Sequence, residues 1–169
     1  SDRPNANFEQ ITPGYFDAIG VRLLRGRDFT AIEAGDKASP RVAIIDTNLA
    51  KKLFPTGDAL GQRIRYTQPP ADGSPAEMEI VGICAPHRHA VLNRNLPGRV
   101  FVPLAQNYNA GVFLHARLAT TDRAATVAAI ATVRSALRTL NPDLPILHIT
   151  PFADLVEKGR AAIGQFDQA

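Results

Sequence analysis

Apolar positions recur along this chain with two periods, and the periods divide it into strands and helices. Phe8 to Ile11 reads as a short strand. Thr12 is placed to cap the helix that follows, and Pro13 sits in its first turn, where a missing N–H costs nothing. Tyr15, Phe16 and Ile19 share one face of that helix, and Gly20 ends it. Val42, Ile44 and Ile45 make a nearly continuous apolar run, which predicts a buried strand. The next helix has Leu49, Leu53 and Phe54 on its apolar face and Lys51 and Lys52 toward water; Pro55 and Gly57 end it. Ile64 and Tyr66 alternate with Arg63 and Arg65, as in a half-exposed strand. Two further strands are predicted over 79–84 and 99–104.

The loops between these elements are rich in turn formers. Residues 31–40 read as a polar loop. Residues 67–76 read as the tip of a long hairpin joining the Ile64 strand to the next one. After residue 110 the pattern changes. Val112, Leu114, Ala116 and Leu118 alternate with Phe113, His115 and Arg117, which predicts a strand beside 8–11 or 146–149. The strongest helix is predicted over 124–140, with Val127, Ile130, Val133, Leu137 and Leu140 in one stripe and Arg134 and Arg138 off it. Asp122 or Thr121 caps its start, and Asn141 to Pro145 stops it. Ile146 to Ile149 reads as a short buried strand. Thr150 and Pro151 open a last helix whose apolar face is Phe152, Leu155 and Val156. The strand–helix–strand order of 112–149 is a βαβ or split-βαβ unit, and the fold class is α+β.

Composition narrows the function classes. The 169 residues, 45% of them hydrophobic, suffice for one compact domain or two small subdomains. The net charge of +3 is spread among acidic residues, without the basic stripe and stacking aromatics of a nucleic-acid footprint, so no nucleic-acid partner is expected. A single cysteine excludes an internal disulfide, and Cys84 lies in an apolar run as a small buried hydrophobe. No stretch reaches the roughly 18 to 20 apolar residues of a membrane span. The polar first ten residues do not form a signal peptide.

Candidate chemistry is sparse. His87 and His89, two apart on an extended segment, would point the same way and share a Zn²⁺. A third ligand is needed, and Asp72, Glu77 and Glu79 offer no recognisable spacing, so a solvated basic loop is the favoured reading. There is no nucleophile elbow, phosphate-cradling loop or His-Glu-x-x-His helix. Arg25, Arg27 and Asp28 read as a solvated surface or a local ion-pair network, and His115 and His148 as packed strand residues. Neither an enzyme nor a cofactor is predicted. The expected partner surface is two polar loops: Pro69, Pro70 and Asp72 at the hairpin tip, and Arg88, His89, Asn93 and Arg94 in the segment after the next strand.

Five segments in order carry a resemblance: 8–29, 41–55, 58–64, 79–84 and 99–104. Together they resemble the MacB-like periplasmic core domain of FtsX/MacB-type ABC transporter permeases, and most of all the orphan-permease branch, from about Phe8 to Leu155. Arg88-His89 fits an Asp-x-Arg-His-like run of the relatives, with Pro86 where they carry an acid. The resemblance implies a discontinuous porter-like subdomain, 1–20 with 107–169, and an inserted β-rich Sabre-like subdomain, 21–106. It implies that the family's first strand and helix precede this chain, and that the helix over 151–163 continues toward a second membrane span.

The partners implied are the flanking transmembrane helices, an ABC ATPase acting through them, and a periplasmic adaptor or a neighbouring permease domain. The implied role is non-catalytic: ATP-driven motion is passed to the extracytoplasmic side of the bacterial inner membrane, a mechanotransmission. The alternative is a free-standing α/β module binding a small molecule. That reading calls for convergent polar groups on apolar walls.

Overall fold

The computed structural model describes residues 5–67, 75–86, 97–107, 111–120, 122–146, 148–151 and 153–154. They fall into two compact units, residues 1–88 with 95–115 and residues 89–94 with 116–169.

The first unit is a six-stranded mixed sheet. Its strands are β1 (Ala6–Ile11), β2 (Leu23–Gly26), β3 (Val42–Asp46), β4 (Arg63–Arg65), β5 (Glu77–Cys84) and β6 (Gly98–Pro103), in the order β1-β6-β3-β5-β2, with β4 paired to β5. β1 runs parallel to β6, and β3 parallel to β5; β3–β6, β2–β5 and β4–β5 are antiparallel. The unbroken apolar run of β3 is explained by its central place: all five residues are buried. Short helices α1 (Tyr15–Ile19), α2 (Ala31–Gly35) and α3 (Thr47–Leu53) accompany the sheet, and a 3-10 turn, Leu104–Asn107, follows β6.

Alternation sends β3 side chains to two cores. Val42 and Ile44 pack with Ile11, Phe16, Phe29, Cys84 and Phe101. Ile45 packs with Leu49, Ala59, Ile80 and Ile83 on the α3 side. Phe16 stands edge-on to Phe101 at 5.1 Å between ring centroids. Two glycines permit close backbone approach. A Cβ at Gly98 would lie 2.7 Å from that of Leu49, and one at Gly26, whose φ is +73°, would collide with the Val81 carbonyl.

Several expectations are corrected. Thr12 does not cap α1. The cap position is Gly14 at φ +83°, because its N–H is taken by Asp28 Oδ2 at 2.9 Å and the helix starts one residue later. Residues 31–35 are helical rather than loop: Thr30 Oγ1 accepts from Glu33 N, and the Glu33 carboxylate accepts from Thr30 N, a reciprocal cap. The strand at 8–11 pairs with β6. Residues 112–118 join no ladder, and neither do Ile146, His148 and Ile149. Val112, Phe113 and Leu114 are 62%, 91% and 68% exposed, so the alternating pattern lacks the half-buried surface that makes it a strand.

The second unit is described through α4 (Arg123–Leu140), capped by Asp122 Oδ2 accepting from Ala125 N at 2.9 Å. Ile130, Val133 and Leu137 of the expected stripe are half-buried, while Val127 and Leu140 are exposed. Phe152, Leu155 and Val156 lie outside the described residues.

Candidate functional site

All seven residues of the expected partner surface, Pro69, Pro70, Asp72, Arg88, His89, Asn93 and Arg94, lie outside the described residues, as does His87. Their frame is described. β4 and β5 pair from Arg63 opposite Glu79 to Arg65 opposite Glu77, and Tyr66 N donates to Ala76 O at 3.1 Å, which closes the base of the hairpin carrying 68–74.

The densest described polar cluster is inside the sheet. Arg99 of β6 is 5% exposed and pairs with Glu9 of β1. Tyr15 Oη donates to the other Glu9 carboxylate oxygen at 3.3 Å. Burial lowers the Arg99 pKa and raises that of Tyr15. Asp46, 1% exposed at the end of β3, caps α3 by accepting from Leu49 N at 2.8 Å, and the nearby Arg99 and Asn48 backbone N–H groups favour its charged form. Burial pushes the Asp46 carboxyl up, against those three donors. Cys84 lies opposite Asp46 in the ladder. Burial, and then the nearby Asp46 charge, push its thiol up to about 12, so at neutral pH it is not a nucleophile. The cluster holds strands and a helix start together.

Arg25, Arg27 and Asp28 show no ion pair with one another among the described residues, although Arg27 Nη1 donates to the Asp28 carbonyl at 3.1 Å. Arg25 forks onto Asp58 at 2.8 and 2.6 Å, joining β2 to the loop before β4. Arg27 forks onto Glu33 at 2.9 and 2.7 Å, and that bond holds the Glu33 carboxyl down at about 2. The Thr30–Glu33 spacing is the sequence signal for the reciprocal cap that fixes Glu33 in place, and it says nothing of Arg27.

His115 stands edge-on to Tyr15 at 5.5 Å, and His148 is exposed. Among the described residues no three His, Cys, Asp or Glu side chains converge as metal ligands. A recess on α4 is lined by Ala131, Arg134, Ser135, Arg138 and Thr139, all from one helix face, and lacks the apolar walls of a small-molecule cleft. No helix among the described residues is long and apolar enough to cross a membrane.

The polar groups described in this mixed α+β domain knit its strands and helix starts together. Residues 1–140 match the MacB-like periplasmic core domain, and the chain belongs to that family. It is similar to the macrolide export ATP-binding/permease protein MacB of Mannheimia succiniciproducens, at 27% identity over 92 residues, which is 54% of this chain and 13% of that protein. Its fold is similar to the crystal structure of the periplasmic region of MacB from Actinobacillus actinomycetemcomitans, with a TM-score of 0.53 and 17% identity over 80% of this chain and 56% of that one. The extracellular domain of the noncanonic ABC-type transporter YknZ from Gram-positive bacteria also matches, with a TM-score of 0.41 and 22% identity over 58% of this chain and 43% of that one. The chain thus spans a small part of the MacB protein and about half of each solved domain.

Proposed function

We propose that this chain is the non-catalytic extracytoplasmic domain of an ABC transporter permease. In this reading it sits on the periplasmic side of the inner membrane between transmembrane helices, and passes their ATP-driven motion to a periplasmic adaptor, a neighbouring permease domain or a substrate. Membership of the MacB-like periplasmic core family over residues 1–140 carries the proposal. Two physical features support it. A domain that passes on motion must be stiff, and the central strands here are buried and paired on both edges. It must also present a surface, and residues 68–74, rich in turn formers, follow β4 and precede β5, which pair with each other in the sheet. Within the proposal, 1–20 and 107–169 are porter-like and 21–106 Sabre-like, with β1 joined to the latter through β6.

The partner surface is Pro69, Pro70, Asp72, Arg88, His89, Asn93 and Arg94. Charge reversal at Asp72, Arg88 and Arg94, with alanine at the other four, is made in the full-length permease. Loss of partner capture and of transport-linked ATP hydrolysis is the expected result. A permease that retains both with all seven changed would place the working surface elsewhere.

A further inference from the structure

We propose that the β1–β6 ladder is a shear clamp, the element through which tension along the chain enters and leaves the sheet. The inference rests on the reading that the domain transmits motion. The chain comes into the sheet at the amino end of β1 and leaves it for residues 107 onward at the carboxyl end of β6. These two strands are immediate neighbours and run parallel, in register from Ala6 opposite Gly98 to Ile11 opposite Pro103. Parallel neighbours have their amino ends on the same side. Pulling β1 by its amino end and β6 by its carboxyl end therefore slides one strand along the other. The evenly spaced bonds of a parallel ladder then carry the tension together. Antiparallel neighbours pulled at the same two ends would peel open one bond at a time.

Three further features fit this role. β1 is the end strand of the sheet and β6 is its ladder partner, so β1 has no second ladder among the described residues to share the tension. The Glu9–Arg99 pair is diagonal: Arg99 faces Asn7, and Glu9 faces Phe101. Tension on β1 draws Glu9 toward the level of Arg99, so the first movement does not stretch the pair. On the exit side, Gln106 is 3% exposed and anchors the chain just past β6. Its Nε2 donates to Ser39 Oγ at 3.0 Å and Pro40 O at 2.9 Å, and its backbone O accepts from Arg41 Nη2 at 3.1 Å. A pull from residue 107 meets this anchor before it reaches the ladder, and the anchor binds the segment that opens β3.

The test is single-molecule force spectroscopy on the full 169-residue chain. Tethers through Asn5→Cys and Gly111→Cys load the ladder in shear; tethers through Asn5→Cys and Pro97→Cys load both strands from their amino ends and peel them. Cys84 is buried and its thiol is held protonated, so the introduced thiols take the tethers. The rupture force in shear is expected to exceed the peeling force at least about twofold, because the bonds must break together. Equal forces in the two geometries would overturn the clamp. Hydrogen exchange on the unmodified chain gives a second measurement: ladder amides of β1 and β6 should exchange as slowly as those of β3. Exchange of these amides at loop rates would overturn it as well. Neither measurement involves an ATPase or a partner. A weak clamp therefore leaves the transmission reading standing, and a permease indifferent to its loop substitutions leaves a strong clamp standing.

Discussion

Glu9 and Arg99 lie 90 positions apart in sequence and form an ion pair across neighbouring parallel strands, with the Arg99 side chain 5% exposed and that of Glu9 22% exposed. Such a pair is costly to break from one side, because the remaining charge stays in a poorly solvated place. Glu9→Gln is expected to destabilise the domain by about 3 kcal/mol, the lower end for a buried pair. Replacing both partners, as Glu9→Leu with Arg99→Met, should cost less than Glu9→Gln alone. Urea unfolding of the parent and the two variants decides it; a double replacement worse than the single one would contradict the assignment.

The Arg27–Glu33 fork makes stability depend on acid. The Glu33 pKa, about 2 in the folded chain, lies below its ordinary value of 4.5, so folding favours the ionised form. That contribution is complete above about pH 4.5 and is lost as the pH falls toward about 2. Urea midpoints for Glu33→Gln should fall less steeply across this window than those of the parent. Parallel curves would show that the fork does not contribute.

Leu49 is 1% exposed and is the α3 residue that reaches the core with Ile45, Ile80 and Ile83. Leu49→Ala is expected to cost about 2–5 kcal/mol by leaving a cavity under the helix. A shift in thermal midpoint reads it, and an unchanged midpoint would mean that α3 is not docked as described.

Cys84 should be silent to thiol reagents in the folded chain. Its pKa of about 12 leaves almost no thiolate at pH 8, and the side chain is buried. Labelling is expected only after unfolding, in proportion to the unfolded fraction. Rapid labelling of the native chain would place the thiol at the surface.

Much of the first unit was legible in the sequence because its signals are local. The run Val42 to Ile45 could only be a strand buried on both faces, and the Arg63–Ile64–Arg65 alternation a half-exposed one. The helix over 124–140 announced itself by its stripe and by Asp122. Other features were not legible, each for a physical reason. The cap at Thr12 failed because Asp28, well downstream, takes the Gly14 N–H. The helix at 31–35 hid in a polar segment whose one signal is Thr30 spaced three from Glu33. The pattern of 112–118 is that of a strand, yet strand character depends on a neighbour that sequence does not supply. The pairings of Arg25 with Asp58 and of Glu9 with Arg99 join residues far apart in the chain, where spacing carries no information.

Asp46 sets an order on folding. Its carboxylate caps α3, and the nearby backbone N–H of Arg99 favours its charged form, so the start of a local helix answers to a strand made much later in the chain. The segment 42–53 has a helix signal and a strand signal of its own, but the burial of its acid comes with β6 arriving beside β3. In a chain halted before residue 98, β3 lacks its β6 neighbour and the Asp46 carboxylate is left to water. Completion of the sheet becomes a late, cooperative event rather than the sum of local steps.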